Sequence, residues 1–343
     1  MEVGRNMRGN NVLRNLHVIF VFLVLVYLTV WNLAVPQLAR SFGRTDTKPE
    51  DTKRDTRGQP MKPGQPLHVD VELALVNVTV TDPYNRLITG LEKQNFRVFE
   101  DNVEQEVLTF SSEDVPVSIG VIFDLSGSMA NKLGRSKQAA VQFLKTANPE
   151  DEFFLVGFNE HARLFSPFTN DAEDLQSKLL TAGAEGRTAL LDAIYLGLSQ
   201  MQDARRNKRA LLIISDGGDN SSRYSEKDIK RRLQEADTQL YGIGIFEPVE
   251  YRRTHEELIG PTLLSEMAEL SGGRSFTVSN LNELPDIAAK ISAELRNQYI
   301  IGYRPSHRAH DARWRKIKVK LRAPKGLPPL TASAKTGYYA PAH

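Results

Sequence analysis

The sequence has 343 residues and contains no cysteine. This absence excludes disulfides, thiol catalysis and zinc or iron sites built on cysteine. The sequence also lacks a large excess of either charge. Its 44 Lys and Arg residues nearly balance its 42 Asp and Glu residues, which gives a net charge of +2. No global basic field therefore indicates nucleic acid. The 7 histidines form no HxxxH or HExxH pair, so the helical zinc signature of metalloproteases is absent too.

One long apolar run is present, at residues 16–35, and its length suits a transmembrane helix. Arg5, Arg8 and Arg14 precede it, so the positive-inside rule predicts a cytoplasmic segment at 1–15 and the rest of the chain outside. We expect a single-pass anchor in the cell membrane. The alternative is a cleaved signal peptide and a secreted protein, but no clean A-x-A cleavage site follows the run.

Two segments of different character come next. Residues 36–66 are polar and proline-rich, with few apolar residues to bury, and predict a disordered stalk. Residues 67–113 alternate apolar and polar side chains around polar turns, which predicts a small β unit.

The stretch VSIGVIFDLSGSM begins with an apolar, β-branched run at Val117 to Phe123, typical of a buried parallel strand. Asp124, Ser126 and Ser128 follow at alternate positions. One carboxylate and two hydroxyls at a strand end are ligands for a hard cation. Taken alone, the DxSxS pattern has a simpler interpretation, a turn whose side chains cap the next helix.

Two further oxygen donors lie at predicted element ends, Thr188 before a helical run and Asp216 after the apolar strand Leu211 to Ser215. Together the motifs resemble the metal-ion-dependent adhesion site of von Willebrand factor A domains. The resemblance covers roughly Pro116 to Arg296 and matches five motif positions without substitution: Asp124, Ser126, Ser128, Thr188 and Asp216.

This resemblance implies one bound Mg²⁺ or Mn²⁺ and a protein partner that supplies an acidic side chain to the metal. Two carboxylates and neutral hydroxyls leave a divalent ion incompletely neutralised, which attracts such a group. The predicted function is adhesion or complex assembly, without enzymatic activity. The alternatives are a metal-dependent hydrolase or accessory subunit, and a structural domain with a vestigial site. No GxSxG elbow or general base is identifiable.

Residues 114–297 alternate strand and helix patterns, which predicts an α/β domain with a Rossmann-like, mostly parallel sheet and helices on both faces. Residues 298–343 predict a C-terminal β-hairpin that packs on the 67–113 unit, since neither small unit covers its apolar face alone. The alternating Lys and Arg of the hairpin are interpreted as a solvent face or protected edge, not as a nucleic-acid site.

Overall fold

The computed structural model describes residues 73–246, 255–307 and 310–342, with backbone alone at 255–257. Its strands are β1 (Ala74–Thr81), β2 (Phe96–Glu100), β3 (Val103–Gln105), β4 (Val107–Ser111), β5 (Val117–Asp124), β6 (Glu152–Phe158), β7 (Ala162–Thr169), β8 (Lys208–Ser215), β9 (Gln239–Ile245), β10 (Ser275–Val278), β11 (Tyr299–Tyr303), β12 (Trp314–Leu321), β13 (Thr331–Ala334) and β14 (Gly337–Tyr339). Its helices are α1 (Leu133–Lys145), α2 (Ala172–Thr181), α3 (Leu190–Gln200), α4 (Glu226–Glu235), α5 (His255–Ser271) and α6 (Leu284–Arg296).

The α/β part contains a six-stranded sheet in the order β10-β9-β8-β5-β6-β7. Every residue of β5, β6 and β9 is buried, because helices cover both faces of the sheet. Helices α1, α2 and α6 pack on one face and α3, α4 and α5 on the other, as their buried residues fall into two separate clusters. The α/β fold class agrees with the sequence interpretation.

The sheet is mixed, since a single edge strand is antiparallel in a sheet that is otherwise parallel. Strand β7, at one edge, runs antiparallel to β6, whereas the other neighbours in this sheet are parallel. The connection from Phe158 to Ala162 is too short for a crossover, so the chain can only return antiparallel.

The remaining strands form two four-stranded sheets, ordered β13-β1-β11-β4 and β14-β12-β2-β3. Buried residues of both sheets share one core, in which Val78 and Tyr299 of the first sheet lie with Val98 and Ile317 of the second. The β part is therefore a sandwich. Strand β11, which follows the α/β part in sequence, lies between β1 and β4, which precede it.

The predicted C-terminal hairpin is not formed. Strand β11 pairs with β1 and β4, whereas β12 pairs with β2 and β14, so these two strands belong to different sheets. The alternation in the sequence identified both strands correctly, but it carries no information on which strands pair. Each of the two sheets gains an interior strand in this arrangement, which a two-stranded hairpin would not provide.

Buried polar groups join the sandwich to the α/β part. The Gln298 side-chain amide donates to Thr79 Oγ1 (3.0 Å) and to the Tyr241 hydroxyl (3.1 Å), and all three residues are buried. Arg274 pairs with the buried carboxylate of Glu294 and donates to the Asn85 side chain at 2.8 Å. Hydrogen bonds in such a dry setting fix orientation, because an unpaired partner costs free energy.

The predicted segments 1–15, 16–35 and 36–66 lie outside the described residues. In the part of the chain that the structure describes, none of the helices combines the length and apolar character needed to cross a bilayer.

We expect truncation after Arg296 to release β1, because β11 pairs with β1 from Ala74 to Val78. Hydrogen exchange should become fast on the β1 amides while β5 in the same sample keeps its protection. Unchanged protection of β1 would contradict the shared sheet.

Candidate metal centre

Strand β5 delivers Asp124 to the carboxyl edge of the central sheet. The strand lies between β6 and β8, both parallel to it, so Asp124 is surrounded by backbone and has no exposed surface. In open α/β sheets this edge is where ligands bind. The apolar run thus places a carboxylate in a setting where its charge needs compensation.

The Asp124 carboxylate is held at both oxygens. Oδ1 accepts from the Ser126 backbone N–H at 2.8 Å, and Oδ2 accepts from the Ser215 hydroxyl at 2.6 Å. Ser126 is extended and a short 3₁₀ turn, Gly127–Met129, follows it. This turn brings the Ser126 and Ser128 hydroxyl oxygens within 3.0 Å of each other. One carboxylate and two hydroxyls therefore share one loop.

The charges around Asp124 are unbalanced. Burial, and after it the nearby negative charge of Asp216, raise the pKa of Asp124 to about 7, against the hydrogen bonds from Ser126 and Ser215. Lys132 Nζ lies 3.4 Å from Asp216 Oδ2, with both side chains 12% exposed. Two neighbouring carboxylates, one wholly buried, form a site that a cation stabilises.

The Thr188 loop docks on the DxSxS loop through its backbone. The Gly127 N–H donates to Gly186 O at 3.0 Å, and the Glu185 N–H donates to Leu125 O at 2.9 Å. Gly186 has φ +80°, a left-handed conformation that favours glycine. Thr188 itself is buried.

A third loop, after β8, holds Thr188 from the other side. The Asn220 side-chain oxygen accepts from the Thr188 N–H at 3.0 Å, and Thr188 O accepts from the Asn220 and Ser221 N–H groups. Asp219 Oδ2 accepts from the Leu191 N–H at 2.8 Å, near the start of α3. Asp219 therefore caps a helix that follows Thr188, although it belongs to a different loop.

The five predicted residues thus come from three loops that contact one another at one edge of the sheet. Asp124, Ser126 and Ser128 are joined directly, and Asp216 interacts with Asp124 by charge. Thr188 is linked to them through the backbone contacts of its loop.

Sequence reasoning missed four residues that support this arrangement. Ser215 is the last residue of β8, directly before Asp216, and Asn220 lies on the loop that follows, so their nearness in sequence to a predicted ligand was a usable signal. Asp219 belongs to that loop as well, but its helix cap joins segments distant in sequence. Lys132 carries no sequence signal, because its contact with Asp216 depends on the fold.

The donor set fits a hard cation. All five groups offer oxygen, two as carboxylates and three as hydroxyls, which suits Mg²⁺ or Mn²⁺ with water in its remaining positions. Across residues 73–246, 255–307 and 310–342, no cluster of three or more His, Cys, Asp or Glu could hold a metal. A centre at this edge would therefore depend on the hydroxyls as much as on the two acids.

Residues 119–218 match the family described as von Willebrand factor type A domain. This span runs from β5 past Asp216 and includes all five residues of the candidate centre, so the part of the chain that holds them resembles a domain of the von Willebrand factor A type.

Several other proteins are similar to part of this chain. An uncharacterized protein of Borreliella burgdorferi is 25% identical over 184 residues, which are 47% of this chain and 54% of that protein. The chain thus spans about half the length of this relative. The BatB structure from Bacteroides thetaiotaomicron is 21% identical with a TM-score of 0.42, covering 52% of this chain and 98% of BatB. A von Willebrand factor type A structure from Catenulispora acidiphila is 13% identical with a TM-score of 0.47, covering 79% and 75%.

We expect Asn220→Ala to lower the free energy of unfolding by about 1 kcal/mol, because the Thr188 N–H loses its acceptor. Urea denaturation gives the change, and exchange of the Thr188 amide gives its location. Asn207→Ala is the control, since that exposed side chain makes no hydrogen bond among the described residues. If both variants unfold at the same urea concentration, the Asn220 side chain does not stabilise the Thr188 loop.

Proposed function

We propose that this chain binds a protein partner through one divalent cation held at the carboxyl edge of the sheet, in adhesion or in assembly of a complex. The observation that carries the proposal is the buried Asp124 carboxylate with a second carboxylate, Asp216, close enough to raise its pKa. Two like charges in one partly dry site are costly without a cation. Hydroxyl donors on the adjoining loops supply neutral ligands.

The exposure of the site suits a ligand that arrives from one side. Asp124, Ser126 and Thr188 are buried, whereas Ser128 and Gly186 are exposed. A cation at this edge would be bound on its inner side by groups at the strand ends, and its outer side would face solvent. Because two carboxylates and neutral hydroxyls leave Mg²⁺ short of anionic ligands, an acidic side chain of the partner is the group we expect there.

Calorimetric titration with Mg²⁺ and Mn²⁺ tests the metal. Wild type should show one site and Asp124→Ala none, because the variant lacks the central carboxylate. Asp203→Ala is the matched control, since Asp203 is exposed at the end of α3 and belongs to no part of the centre. Circular dichroism should report a folded protein for both variants. Identical heats for wild type and Asp124→Ala would refute the metal site.

The same variants test the partner. Capture of binding proteins from the envelope should be lost with EDTA and with Asp124→Ala, but kept with Asp203→Ala. If neither EDTA nor the Asp124→Ala substitution changes the affinity for a partner, that partner binds at another surface of the protein. Metal binding without a metal-dependent partner would favour a vestigial site, and metal-dependent hydrolysis lost in Asp124→Ala would favour the hydrolase alternative.

We further propose that residues 16–35 anchor the protein in the membrane with residues 36–66 as a stalk. The uncharged apolar run and the arginines before it support this. N-terminal sequencing of the mature protein should start near Met1. A start near Arg40 would instead identify a signal peptide and a secreted protein.

A further inference from the structure

The outward face of the second sandwich sheet carries a row of three lysines. Lys316, Lys318 and Lys320 occupy alternate positions of β12, and all three are exposed. Alternate side chains on one face of a strand are about 6.6 Å apart, so three ammonium groups stand in line over about 13 Å. These residues are termed the lysine row.

The ammonium groups of the lysine row are not paired with acids. The residues opposite are Gly337 and Asp101 for Lys316, Phe99 for Lys318 and Arg97 for Lys320. The Asp101 carboxylate accepts from the Lys316 backbone N–H at 2.9 Å. Within the described part of the chain, none of the three ammonium groups makes an ion pair or hydrogen bond. By contrast, Arg97 is paired with Glu104 on the neighbouring strand. The hydrogen bond from Arg97, together with the positive charge of Lys320, lowers the pKa of Glu104, so Lys320 also interacts with this carboxylate.

Edge protection accounts for only part of this arrangement. Lysines on an edge strand prevent pairing with another chain. Strand β12 pairs with β14 at Trp314–Lys316 and with β2 at Ile317–Leu321, so the register pairs Lys318 and Lys320 with a strand on one side only. At Lys316, β14 pairs on one side and Asp101 bonds the backbone on the other, so edge protection does not explain that lysine.

Aromatic side chains lie at both ends of the row. At one end, Arg97 (5.2 Å) and Lys320 (4.7 Å) both lie over the Phe99 ring. At the other end, Trp314 packs edge-to-face with Tyr339 at 5.1 Å between ring centroids. The indole lies across Gly337, where an added Cβ would be 2.4 Å from a Trp314 ring atom, so a larger residue would displace it. Trp314 and Tyr339 form a platform beside Lys316.

We propose that this face binds a linear anionic polysaccharide. Its acidic groups would meet the lysine row, and one sugar ring would place its C–H face on the Trp314–Tyr339 platform. The charges are complementary, and cations in a line suit a linear polymer. The platform offers an apolar surface with a polar hydroxyl at its rim, which suits a sugar ring.

Other polyanions fit this face less well. Single-stranded nucleic acid is bound by stacking successive bases on accessible aromatic rings. The Phe99 ring is already in contact with the cationic groups of Arg97 and Lys320. A bilayer surface is bound by aromatic groups that enter it, whereas Trp314 lies flat across the β14 backbone at Gly337.

The test uses the full-length protein and fluorescently labelled polygalacturonate, with binding followed by anisotropy at low salt. The double variant Lys316→Gln/Lys318→Gln should bind about tenfold more weakly or worse, since each lysine at an anionic surface strengthens binding several-fold. The matched control is Lys145→Gln/Lys227→Gln, which removes the same charge from exposed positions on α1 and α4 and should keep wild-type affinity. EDTA should leave binding unchanged, which separates this surface from the metal centre.

The platform is tested by Trp314→Leu, which should weaken binding several-fold without a change of charge. If that variant does not fold, Tyr339→Ala tests the same platform. The proposal is overturned if the control pair weakens binding as much as the lysine pair, or if the platform variants bind like wild type. Tighter binding of single-stranded DNA or of anionic phospholipid vesicles through the same lysines would also overturn it.

Discussion

The buried carboxylate of Asp124 is the constraint on which the central part of the molecule depends. A charge at the end of a wholly buried strand is tolerated only with compensating groups. Here the Ser126 N–H and the Ser215 hydroxyl compensate the charge by donating hydrogen bonds to the carboxylate. Each donor also lies next to another residue of the candidate metal centre. The first begins the turn that places Ser128, and the second precedes Asp216. The same hydrogen bonds therefore orient the carboxylate and fix the two loops that surround it.

The β sandwich depends on a different constraint, the need of short strands for neighbours. Strands β2 and β3 form a tight hairpin through Asp101 and Asn102, both with positive φ, but two strands do not bury an apolar face. The C-terminal region provides the missing surface, with Ile317 opposite Glu100 in one sheet and Ile301 opposite Val76 in the other. Each half of the sandwich is incomplete without the other.

Patterns over short stretches of sequence correctly predicted the features that are determined by neighbouring residues, namely single strands and the alternation of strands with helices. The uninterrupted apolar run before Asp124 identified a buried parallel strand, and the strand and helix alternation identified the α/β class. Asp124 and Asp216 are the oxygen donors predicted at strand ends. Asp124 is the last residue of β5, and Asp216 directly follows the neighbouring strand β8.

Features that depend on pairing between distant segments were not predictable in this way. Strand β7 alternates weakly and Ser166 is its one buried residue, so its pattern is not distinctive. Strands β11 and β12 are close in sequence, which favours a hairpin, but the apolar faces of β1 and β2 compete for them. Lys132 and Asp219 act on segments far from their own, and no spacing rule connects them.

The position of β11 between β1 and β4 makes the α/β domain an insertion within the sandwich, and this has a consequence for synthesis. As the chain leaves the ribosome, β1 and β4 emerge first and have no partner strands until the whole inserted domain has followed, whereas β2 can pair with β3 alone. Closing so long a loop is entropically unfavourable for an unfolded chain. A folded α/β domain removes much of that cost, because its two ends lie together where Arg296, at the end of α6, pairs with Asp114, just before β5. The inserted domain would thus act as the template on which the sandwich closes, and the exposed edges of β1 would be the point of greatest risk for aggregation before closure.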